Sequence, residues 1–468
     1  MRIDTDLCVI GAGSGGLSVA AGAAQMGARV VLIERSRMGG DCLNTGCVPS
    51  KAMLAAAKTA HAVRTAGRFG VNGHEPAIDF ARVHGHVHGV IAAIAPHDSV
   101  ERFEGLGVRV IRGHARFTTR DTVAVEGDTV AARWFVIATG SRPLVPPVPG
   151  LDAVPYLTNE TLFERTTRPD HLLVIGGGPI GVEMAQAHRR LGSAVTLIEQ
   201  AAILPKDDPE LVAVVRRRLI DEGIVLHEGT AVARVETAGN GLAVVLADGH
   251  RVTGSDLLIA TGRRPNVEDL DVDAAGIAAG PRGIQTDARL KTTNRRVFAI
   301  GDVAGGPAFT HAAGYQAGIV IRNALFRLPA KVDYAAFPWV TYSDPELAQV
   351  GLTEAQARER HGEARVLRAA FAENDRARAE GAAEGLTKVV TDRRGRILGA
   401  SIVGPHAGEQ IAPWVLAIRQ KLKIGAMAGL TLPYPTLAEA GKRAAGSYFT
   451  PTLFSERTKK IVRFLVRW

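Results

Sequence analysis

The sequence predicts an α/β protein with two related parallel-sheet domains. Three observations lead to this prediction: a length of 468 residues, an ordinary content of 46% hydrophobic and 22% charged residues, and a glycine-rich pattern that occurs twice. The length suits about three domains of roughly 150 residues. Glycine, at 52 of 468 residues, exceeds its usual share of about 7%, which favours tight turns and close approaches of backbone to ligand.

The repeated pattern is a short apolar strand, a Gly-x-Gly-x-x-Gly turn, a helix and a second strand that ends in glutamate. The first copy has these positions at Gly11, Gly13, Gly16 and Glu34. The second copy shifts each by 165 residues, to Gly176, Gly178, Gly181 and Glu199. In such a turn the backbone approaches a pyrophosphate at the helix N-terminus, and the acid accepts hydrogen bonds from ribose hydroxyls. The chain therefore has two predicted Rossmann-like dinucleotide-binding domains, one for a bound flavin and one for an exchanging nicotinamide.

Each copy is followed by an apolar segment that ends in Ala-Thr-Gly, namely FVIATGSRP (135–143) and DLLIATGRRPN (256–266). Such apolar runs are typical of buried strands. We interpret each as the strand that closes its nucleotide-binding sheet. Thr139, Gly140 and Gly262 are the cofactor-binding candidates in these segments.

The acid of the second copy indicates which nicotinamide binds. Glu199 would accept a hydrogen bond from a free ribose 2′-hydroxyl and repel a 2′-phosphate. Gln200 and Ala201 follow it, where an arginine would clamp such a phosphate. The sequence thus favours NAD(H) over NADP(H), with Lys206 and Arg263 as the residues that would assist NADP(H).

The chain has only three cysteines, Cys8, Cys42 and Cys47. This number is too small for a secreted disulfide scaffold. Cys8 lies in an apolar strand, where we expect inert packing. Cys42 and Cys47 lie close together in GGDCLNTGCVPSK (39–51), which suggests redox chemistry in a reducing cytoplasm; the alternative is a pair of buried free thiols.

A disulfide between residues five apart needs an irregular helix start. A regular helix would separate their Cα atoms by about 8–9 Å, whereas a disulfide needs about 4.4–6.8 Å. Gly46 supplies the conformational freedom, and Pro49 suits a position near a helix start. A thiol at a helix N-terminus has a lowered pKa, so its thiolate persists at neutral pH.

Residues 1–450 resemble the class I pyridine nucleotide–disulfide oxidoreductases, which include dihydrolipoamide dehydrogenase, glutathione reductase and mercuric reductase. The resemblance rests on both fingerprints, GGDCLNTGCVPSK, both Ala-Thr-Gly segments, RVFAIGDVAGGPAFTHAA (296–313) and PYPTLAEAGKRAA (433–445). It implies FAD on the first fingerprint, NAD(P)H on the second and a C-terminal α+β domain that builds a homodimer.

The resemblance also implies roles for individual residues. Cys47 would be the thiol against the flavin, and Cys42 would be the exposed interchange thiol of a redox disulfide. Lys51 would lie near the flavin N5 and pair with Glu183.

Further along the chain, Asp302 would hydrogen-bond the ribityl chain, and Gly301 would allow the close approach of FAD. The disulfide reductases of the family then have His-Pro-x-x-x-Glu, in which histidine moves the proton and glutamate orients it. In this sequence Tyr434 replaces the histidine, while Glu439 is retained. Tyrosine, with an ordinary pKa of about 10, is a poor base at neutral pH.

The predicted function is an FAD-dependent oxidoreductase that passes electrons from NAD(P)H through flavin and the Cys42–Cys47 disulfide to a disulfide-type acceptor. The alternatives are a mercuric-reductase-like metal-ion reductase and a quinone reductase on the same scaffold; a third is a flavoprotein redox sensor. Mercuric reductase also has a tyrosine in the region of Tyr434 and needs no proton shuttle, but it uses an additional cysteine pair, and no cysteine follows Cys47 here.

The predicted domain organisation has five parts. They are an FAD-binding domain (1–150), an NAD(P)H-binding domain (151–269), a central region completing the FAD site (270–335), a dimerisation domain (336–450) and a basic amphipathic tail (451–468). The stretch FSERTKKIVRFLVRW (454–468) carries a charge of +4, five basic residues against Glu456. It predicts packing on its own dimer, or alternatively a weak membrane-surface contact.

The remaining features favour an ordinary surface. The net charge is +9, but the basic residues are spread along the chain, so we expect no nucleic-acid partner. The uncharged stretch 7–25 follows Asp4 and Asp6 rather than basic residues, which favours a soluble cytoplasmic protein over a signal peptide. His84, His86 and His88 predict a run of surface histidines and no metal site, although His84 and His88 would share a helix face.

Overall fold

The computed structural model describes residues 1–467, so Trp468, the last residue of the predicted tail, lies outside the described residues. The chain packs as two compact units. The first comprises residues 1–176, 190–194 and 232–332, and the second comprises 177–189, 195–231 and the segment from 333 onward.

The largest sheet of the first unit has seven strands. Their order is Val108–Arg112, Val30–Glu34, Arg2–Ile10, Asp128–Ile137, Thr122–Val125 and Arg116–Thr119, with Val297–Ala299 also paired to Asp128–Ile137. All pairs are parallel except those made by Thr122–Val125, which are antiparallel. Asp128–Ile137 therefore lies inside the sheet, and the expectation that it closes the sheet is wrong, because other strands pair along its second edge.

Smaller strand groups and helices complete the first unit. The three-stranded antiparallel sheet consists of Val232–Ala238, Gly241–Leu246 and Arg251–Gly254. The strand pairs are Ser141–Pro143 with Arg263–Pro265, Ala279–Gly280 with Gly283–Ile284, and His171–Ile175 with Asp256–Ile259. The α-helices are Ser14–Gln25, Gly40–Asn44, Cys47–Thr65, Phe80–Ile94, Val100–Gly105, Asn159–Leu162 and Thr310–Ala324. Short 3-10 turns occur at Ala66–Phe69, Ala95–Asp98, Leu151–Ala153 and Gly301–Ala304.

Core residues cover both faces of the seven-stranded sheet at its centre. Val30–Glu34 is buried at every residue, as expected of a parallel strand between two layers. One cluster of core residues includes Phe135 and Cys8, and the other includes Phe298 and the helical Val19. Cys8 is fully buried and burial raises the pKa of its thiol, so it acts as packing.

The second unit is built on a five-stranded antiparallel sheet. The strand order is Pro338–Thr341, Glu346–Gly351, Ile397–Gly404, Leu386–Thr391 and Arg365–Ala370. Ala194–Glu199, which lies in this unit apart from its first residue, pairs in parallel with Val225–Glu228. The helices are Pro179–Arg190 (apart from its last residue), Pro209–Asp221, Glu354–His361, Asp375–Ala379, Ala407–Gln410, Ala412–Arg419, Ile424–Ala428, Glu439–Ser447, Thr450–Leu453 and Glu456–Leu465, with a 3-10 turn at Phe371–Glu373.

This α/β architecture, with its α+β C-terminal part, confirms the predicted fold class. Within residues 1–467, no helix combines the length and apolar character that a membrane crossing would require.

A buried lysine joins three elements of the second unit. The Lys388 ammonium lies 2.8 Å from Asp208, 2.8 Å from Glu210 and 2.9 Å from Glu354. Its side chain is only 4% exposed and that of Asp208 only 3%, so the positive charge of Lys388 compensates the buried Asp208 carboxylate. Asp208 also accepts from the Glu210 N–H and caps the helix Pro209–Asp221.

We predict that Lys388→Met lowers the free energy of unfolding by about 3–5 kcal/mol, because it leaves the buried Asp208 carboxylate without its cation. Urea unfolding followed by tryptophan fluorescence measures the effect. Arg443→Met is the matched control, since Arg443 pairs with Glu373 on an exposed surface and its loss should cost less than about 1 kcal/mol. Equal losses in the two variants would contradict the prediction.

Candidate dinucleotide and redox site

The first fingerprint forms a turn that only glycine fits at its first and third positions. Gly11 has φ +102°, and a Cβ there would overlap the Ala138 carbonyl. A Cβ on Gly16 would overlap the Gly11 carbonyl oxygen. At Gly13, by contrast, a Cβ would meet only Gly40 at 4.0 Å. The protein's own packing explains the outer two glycines, whereas the second faces the space through which a pyrophosphate would approach.

The helix Ser14–Gln25 begins directly at this turn. Its N-cap residue, Gly13, provides no side-chain cap. The first N–H groups of a helix and its dipole favour an anion, so the helix start is suited to a phosphate group.

The two glutamates of the fingerprints hold their turns in the same way. Glu34 accepts hydrogen bonds from the N–H groups of Ala12 (2.6 Å) and Ser36 (2.6 Å).

Shifted by 165 residues, Glu199 accepts from Gly177 (2.6 Å) and Ala201 (2.9 Å). Each carboxylate thereby ties the end of a second strand to the middle of its glycine turn. The repeat found in the sequence is a repeat of hydrogen bonds as well.

The other glycines of the second fingerprint follow the first copy in part. Gly176 has φ +112°, and a Cβ there would overlap the Ala260 carbonyl. A Cβ on Gly178 would meet nothing within 4 Å. Gly181 is buried in the helix Pro179–Arg190.

A pocket opens beside Glu34 in the first unit. Its lining includes Gly11, Glu34, Thr139, Asn266 and Glu268. The Thr139 hydroxyl donates to the Asn266 carbonyl at 2.7 Å, and the Asn266 side chain donates back at 3.0 Å. A glycine cradle, a helix start and a carboxylate beside one pocket are what the adenosine and pyrophosphate parts of FAD require.

The ribityl candidates lie in the same unit. Gly301, with φ +70°, donates its N–H to the Gln316 side chain at 2.6 Å. Asp302 accepts a hydrogen bond from the Ser141 hydroxyl. The remaining two candidates shape the turns after the Ala-Thr segments: Gly140 has φ +68° and Gly262 has φ +137°.

The two cysteines lie on two separate helices rather than on one. Cys42 belongs to Gly40–Asn44, and Cys47 is the first residue of Cys47–Thr65. Gly46 interrupts them with φ −127° and ψ −112°, so the predicted irregular helix start is present.

The two thiols differ in exposure within the chain itself. Cys47 is exposed and Cys42 is half-buried, because the Cys42 sulfur lies among Cys47, Thr310 and Ser14. The predicted roles, with Cys47 against the flavin and Cys42 as the interchange thiol, stay predictions.

The pKa values of the two thiols are shifted in opposite directions. A hydrogen bond from Cys42, a second from Thr310 and the charge of Lys51 lower the pKa of Cys47 to about 6. The Cys47 sulfur and the Thr310 hydroxyl oxygen are 3.4 Å apart. The pKa of Cys42 is raised, chiefly because its thiol donates a hydrogen bond to Cys47 and also because it is partly buried. At neutral pH the thiolate is on Cys47 and the proton is on Cys42.

Asp41 anchors the loop that carries the cysteines, a role that sequence reasoning missed. Its carboxylate accepts from Asn159 (2.9 Å) and Thr45 (2.7 Å), and lies 3.2 Å from the Arg263 guanidinium. Arg263 also donates to the Ser141 hydroxyl at 2.7 Å. No local pattern could reveal the contacts with Asn159 and Arg263, since both residues lie more than 100 residues from Asp41.

Thr310 was also missed, although it lies in the quoted segment 296–313. It is the first residue of the helix Thr310–Ala324. Its position at the start of a helix was the feature that could have pointed to it.

Lys51 and Glu183 lie in different units, so their predicted pairing stays a prediction. Lys51 is the fifth residue of the Cys47–Thr65 helix, and its ammonium nitrogen lies 3.4 Å from the Ser50 hydroxyl oxygen. Glu183 is buried and accepts from the Tyr342 N–H at 3.0 Å within its own unit.

The C-terminal pair is arranged differently from a histidine–glutamate shuttle. Tyr434 is 71% exposed, and its hydroxyl donates to Asp375 at 2.9 Å. This bond raises the pKa of the phenol. Glu439 accepts from the Thr436 N–H at 3.2 Å and so does not hold the Tyr434 hydroxyl. Asp375 was missed because it lies 59 residues earlier.

Two glycine turns for dinucleotides and a dithiol at a helix start define a flavin-dependent pyridine nucleotide–disulfide oxidoreductase. The chain matches the pyridine nucleotide-disulphide oxidoreductase family over residues 5–317 and the dimerisation domain of that family over residues 337–445. The chain therefore belongs to the pyridine nucleotide–disulfide oxidoreductases. It is an FAD-dependent enzyme that uses a pyridine nucleotide, and its dimerisation domain supports a homodimer.

Relatives of this chain are named for more than one activity. A mercuric reductase from Streptomyces lividans is 38% identical over 455 residues, covering 95% of this chain and 96% of that protein. A dihydrolipoyl dehydrogenase from Thermus scotoductus is 39% identical over 451 residues, covering 94% and 96%. The structure of the Cu(II) complex of the HOCl-induced flavoprotein disulfide reductase RclA from Escherichia coli aligns with a TM-score of 0.85 at 29% identity, covering 93% of this chain and 98% of that one.

We predict that Thr310→Val raises the pKa of Cys47, because a donor to its thiolate is lost. The measurement is the rate of alkylation of the reduced holoenzyme against pH. In the wild type the rate should rise through a midpoint near the Cys47 pKa of about 6, and in Thr310→Val the midpoint should move to higher pH. Thr59→Val, on the same helix with its hydroxyl on the Ala55 carbonyl, should behave as the wild type; coincident profiles for all three proteins would refute the prediction.

Proposed function

We propose that this enzyme passes electrons from NADH, through FAD and the Cys42–Cys47 disulfide, to a disulfide-type acceptor whose leaving thiol is acidic. The observation that carries the proposal is the combination of a thiolate on Cys47 with a tyrosine in place of the proton-moving histidine.

The residues that would hold FAD are the first glycine turn, Glu34, the Thr139 region and Asp302. FAD bound there would supply the two-electron chemistry that connects a reduced nicotinamide to the disulfide. Opening the disulfide with a hydride equivalent yields one thiol and one thiolate, which balances both charge and electrons. The hydrogen bond between the two sulfurs lowers the pKa of Cys47 and raises the pKa of Cys42, which supports a thiolate on Cys47 and a proton on Cys42.

Transfer to a disulfide acceptor needs Cys42 as the nucleophile, so the Cys42 proton must first pass to solvent water. Attack by Cys42 sulfur breaks the acceptor disulfide and releases one thiolate; Cys47 then attacks Cys42 to reform the disulfide and release the second. An alkyl thiolate leaves poorly without a proton, whereas an acidic thiol leaves as the anion. Tyr434, with its pKa raised by Asp375, is a poor base for the first step and keeps its own proton at neutral pH. An acidic leaving thiol removes the need for a proton donor.

We predict that the wild type reduces an activated aromatic disulfide much faster than lipoamide. Tyr434→His should raise kcat/KM for lipoamide by about 10²-fold, the contribution of a positioned acid–base group. Tyr434→Phe, which has the same ring without the hydroxyl, is the control and should leave lipoamide reduction low. The rates are measured as NADH oxidation by the holoenzyme, with Cys42→Ser expected to be inactive on both acceptors. Fast lipoamide reduction by the wild type would overturn the proposal.

The second candidate acceptor is a thiophilic metal ion, as in the mercuric reductases to which the chain is similar. The feature that favours it is again Tyr434, because reduction of Hg²⁺ by an electron pair requires no proton on a leaving group. Acceleration of NADH oxidation by Hg²⁺ that depends on both Cys42 and Cys47 would favour this candidate. A quinone acceptor would instead tolerate Cys42→Ser, and a redox sensor would turn over slowly with every acceptor.

The preference for NADH is part of the proposal. Glu199 presents a carboxylate at the end of its strand, where a 2′-phosphate would meet like charge. Arg263, a residue suggested by the sequence for NADPH, has its guanidinium engaged by Ser141 and Asp41. Lys206 is exposed.

We predict that kcat/KM is about tenfold higher or more for NADH than for NADPH, and a tenfold ratio is equivalent to about 1.4 kcal/mol. Glu199→Ala should narrow the ratio by relieving the repulsion of the 2′-phosphate. Lys206→Ala is the control, and it should leave the ratio high. Steady-state rates with each nucleotide and one fixed acceptor provide the test, and an unchanged ratio in Glu199→Ala would count against the assignment.

The five-part domain division, the roles of the site residues and a cytoplasmic location remain part of this proposal. A weak membrane-surface contact of the tail is also part of the proposal. The helix Glu456–Leu465 presents Ile461, Phe464 and Leu465 at exposures of 50%, 63% and 61%. Lys459, Lys460 and Arg463 supply basic charge on the same helix, as such a contact requires.

A further inference from the structure

We propose that His84, His88 and Glu164 form a binding site for a divalent transition-metal ion of the Zn²⁺ or Cu²⁺ class. The three residues lie in the first unit, remote in sequence from the cysteines. Two come from the helix Phe80–Ile94, and the third follows the helix Asn159–Leu162. The sequence favoured a run of surface histidines because Glu164 lies 76 residues after His88.

The donor atoms already converge. One ligand atom from each of the three side chains lies within 4.8 Å of the others. The rings of His84 and His88 have their centroids 4.1 Å apart, and His88 Nε2 lies 3.8 Å from the Glu164 carboxylate. Bonds of about 2.0–2.2 Å to a common ion require donors somewhat closer than this. Small rotations of these partly exposed side chains would supply the difference.

The scaffold beneath the side chains is fixed. Asp79 caps the helix by accepting from the Arg82 N–H at 3.1 Å. Val87 is fully buried and Phe80 nearly so, which holds the helix with His84 and His88 toward the surface.

The partner segment is equally well anchored. Leu162 and Phe163, the residues just before Glu164, are both buried. His88 Nε2 also lies 3.1 Å from the Phe163 carbonyl. Binding of the ion through Nε2 would replace that contact, whereas binding through Nδ1 would keep it as the hydrogen bond that orients a histidine ligand.

The chemistry of the set selects the class of ion. Imidazole nitrogens suit Zn²⁺, Ni²⁺ and Cu²⁺, with Cu²⁺ bound most tightly, and a carboxylate adds the negative charge that a dication favours. Three protein ligands leave a fourth position open for water or another ligand. His86 is exposed and two residues from each of the other histidines, so it points away from their common helix face.

The experiment uses untagged, FAD-loaded dimer carrying Cys42→Ser and Cys47→Ser, so that the dithiol binds no metal. Zn²⁺ is titrated by calorimetry, and Cu²⁺ is followed by electron paramagnetic resonance. We expect one ion per chain, a Cu²⁺ spectrum with two nitrogen ligands and a metal-dependent rise in Tm.

In the same background, His84→Ala and Glu164→Gln should each weaken binding at least about tenfold, and His84→Ala should remove one nitrogen from the spectrum. His86→Ala is the matched control and should bind as the parent does. An unchanged Tm of each variant without metal verifies that the fold is intact. Absence of binding in the parent, undiminished binding in His84→Ala, or an equal loss in His86→Ala would each overturn the site.

Discussion

The chemistry of this protein depends on one hydrogen bond, from the Cys42 thiol to the Cys47 thiolate. The bond decides which sulfur is charged at neutral pH and which carries the proton. The Thr310 hydroxyl and the Lys51 charge also stabilise the thiolate, and burial raises the pKa of Cys42. Burial of Cys47 and the nearby Asp41 carboxylate act in the opposite direction on Cys47, so the hydrogen bond between the two sulfurs is the largest of these effects. In the proposed reaction, transfer to the acceptor requires the Cys42 proton to leave.

The surroundings of the pair hold it by long-range contacts rather than by helix geometry. Asp41, next to Cys42, binds Asn159 and Arg263, which come from distant segments of the same unit. Arg263 in turn donates to Ser141, whose hydroxyl donates to Asp302. The loop that carries the thiols is thus connected to the predicted ribityl-binding aspartate through three polar contacts. A change in any of them should alter the position of the thiols as well as their charge.

Both copies of the fingerprint form their glycine turn with the same kind of packing and the same pattern of hydrogen bonds. The first glycine of each copy is crowded by a carbonyl group of a following strand end, at Ala138 and Ala260, and each turn is held by a glutamate at the end of its second strand. A Cβ on the second glycine would meet no backbone carbonyl in either copy. The fold therefore needs the first glycine for its own packing, whereas the second suits the close approach of a ligand.

The glycine spacing, the apolar strands and the cysteine motif were sufficient to predict the fold class, the two nucleotide turns and the irregular helix start. These features are local, since each depends on residues within one turn or one strand. The exposures of Cys42 and Cys47, the central place of Asp128–Ile137 and the use of Asp375 as the partner of Tyr434 were decided only by tertiary structure. The same holds for Glu164 beside His84 and His88. In each case the deciding neighbour lies tens or hundreds of residues away, and chain packing determines which side chains meet.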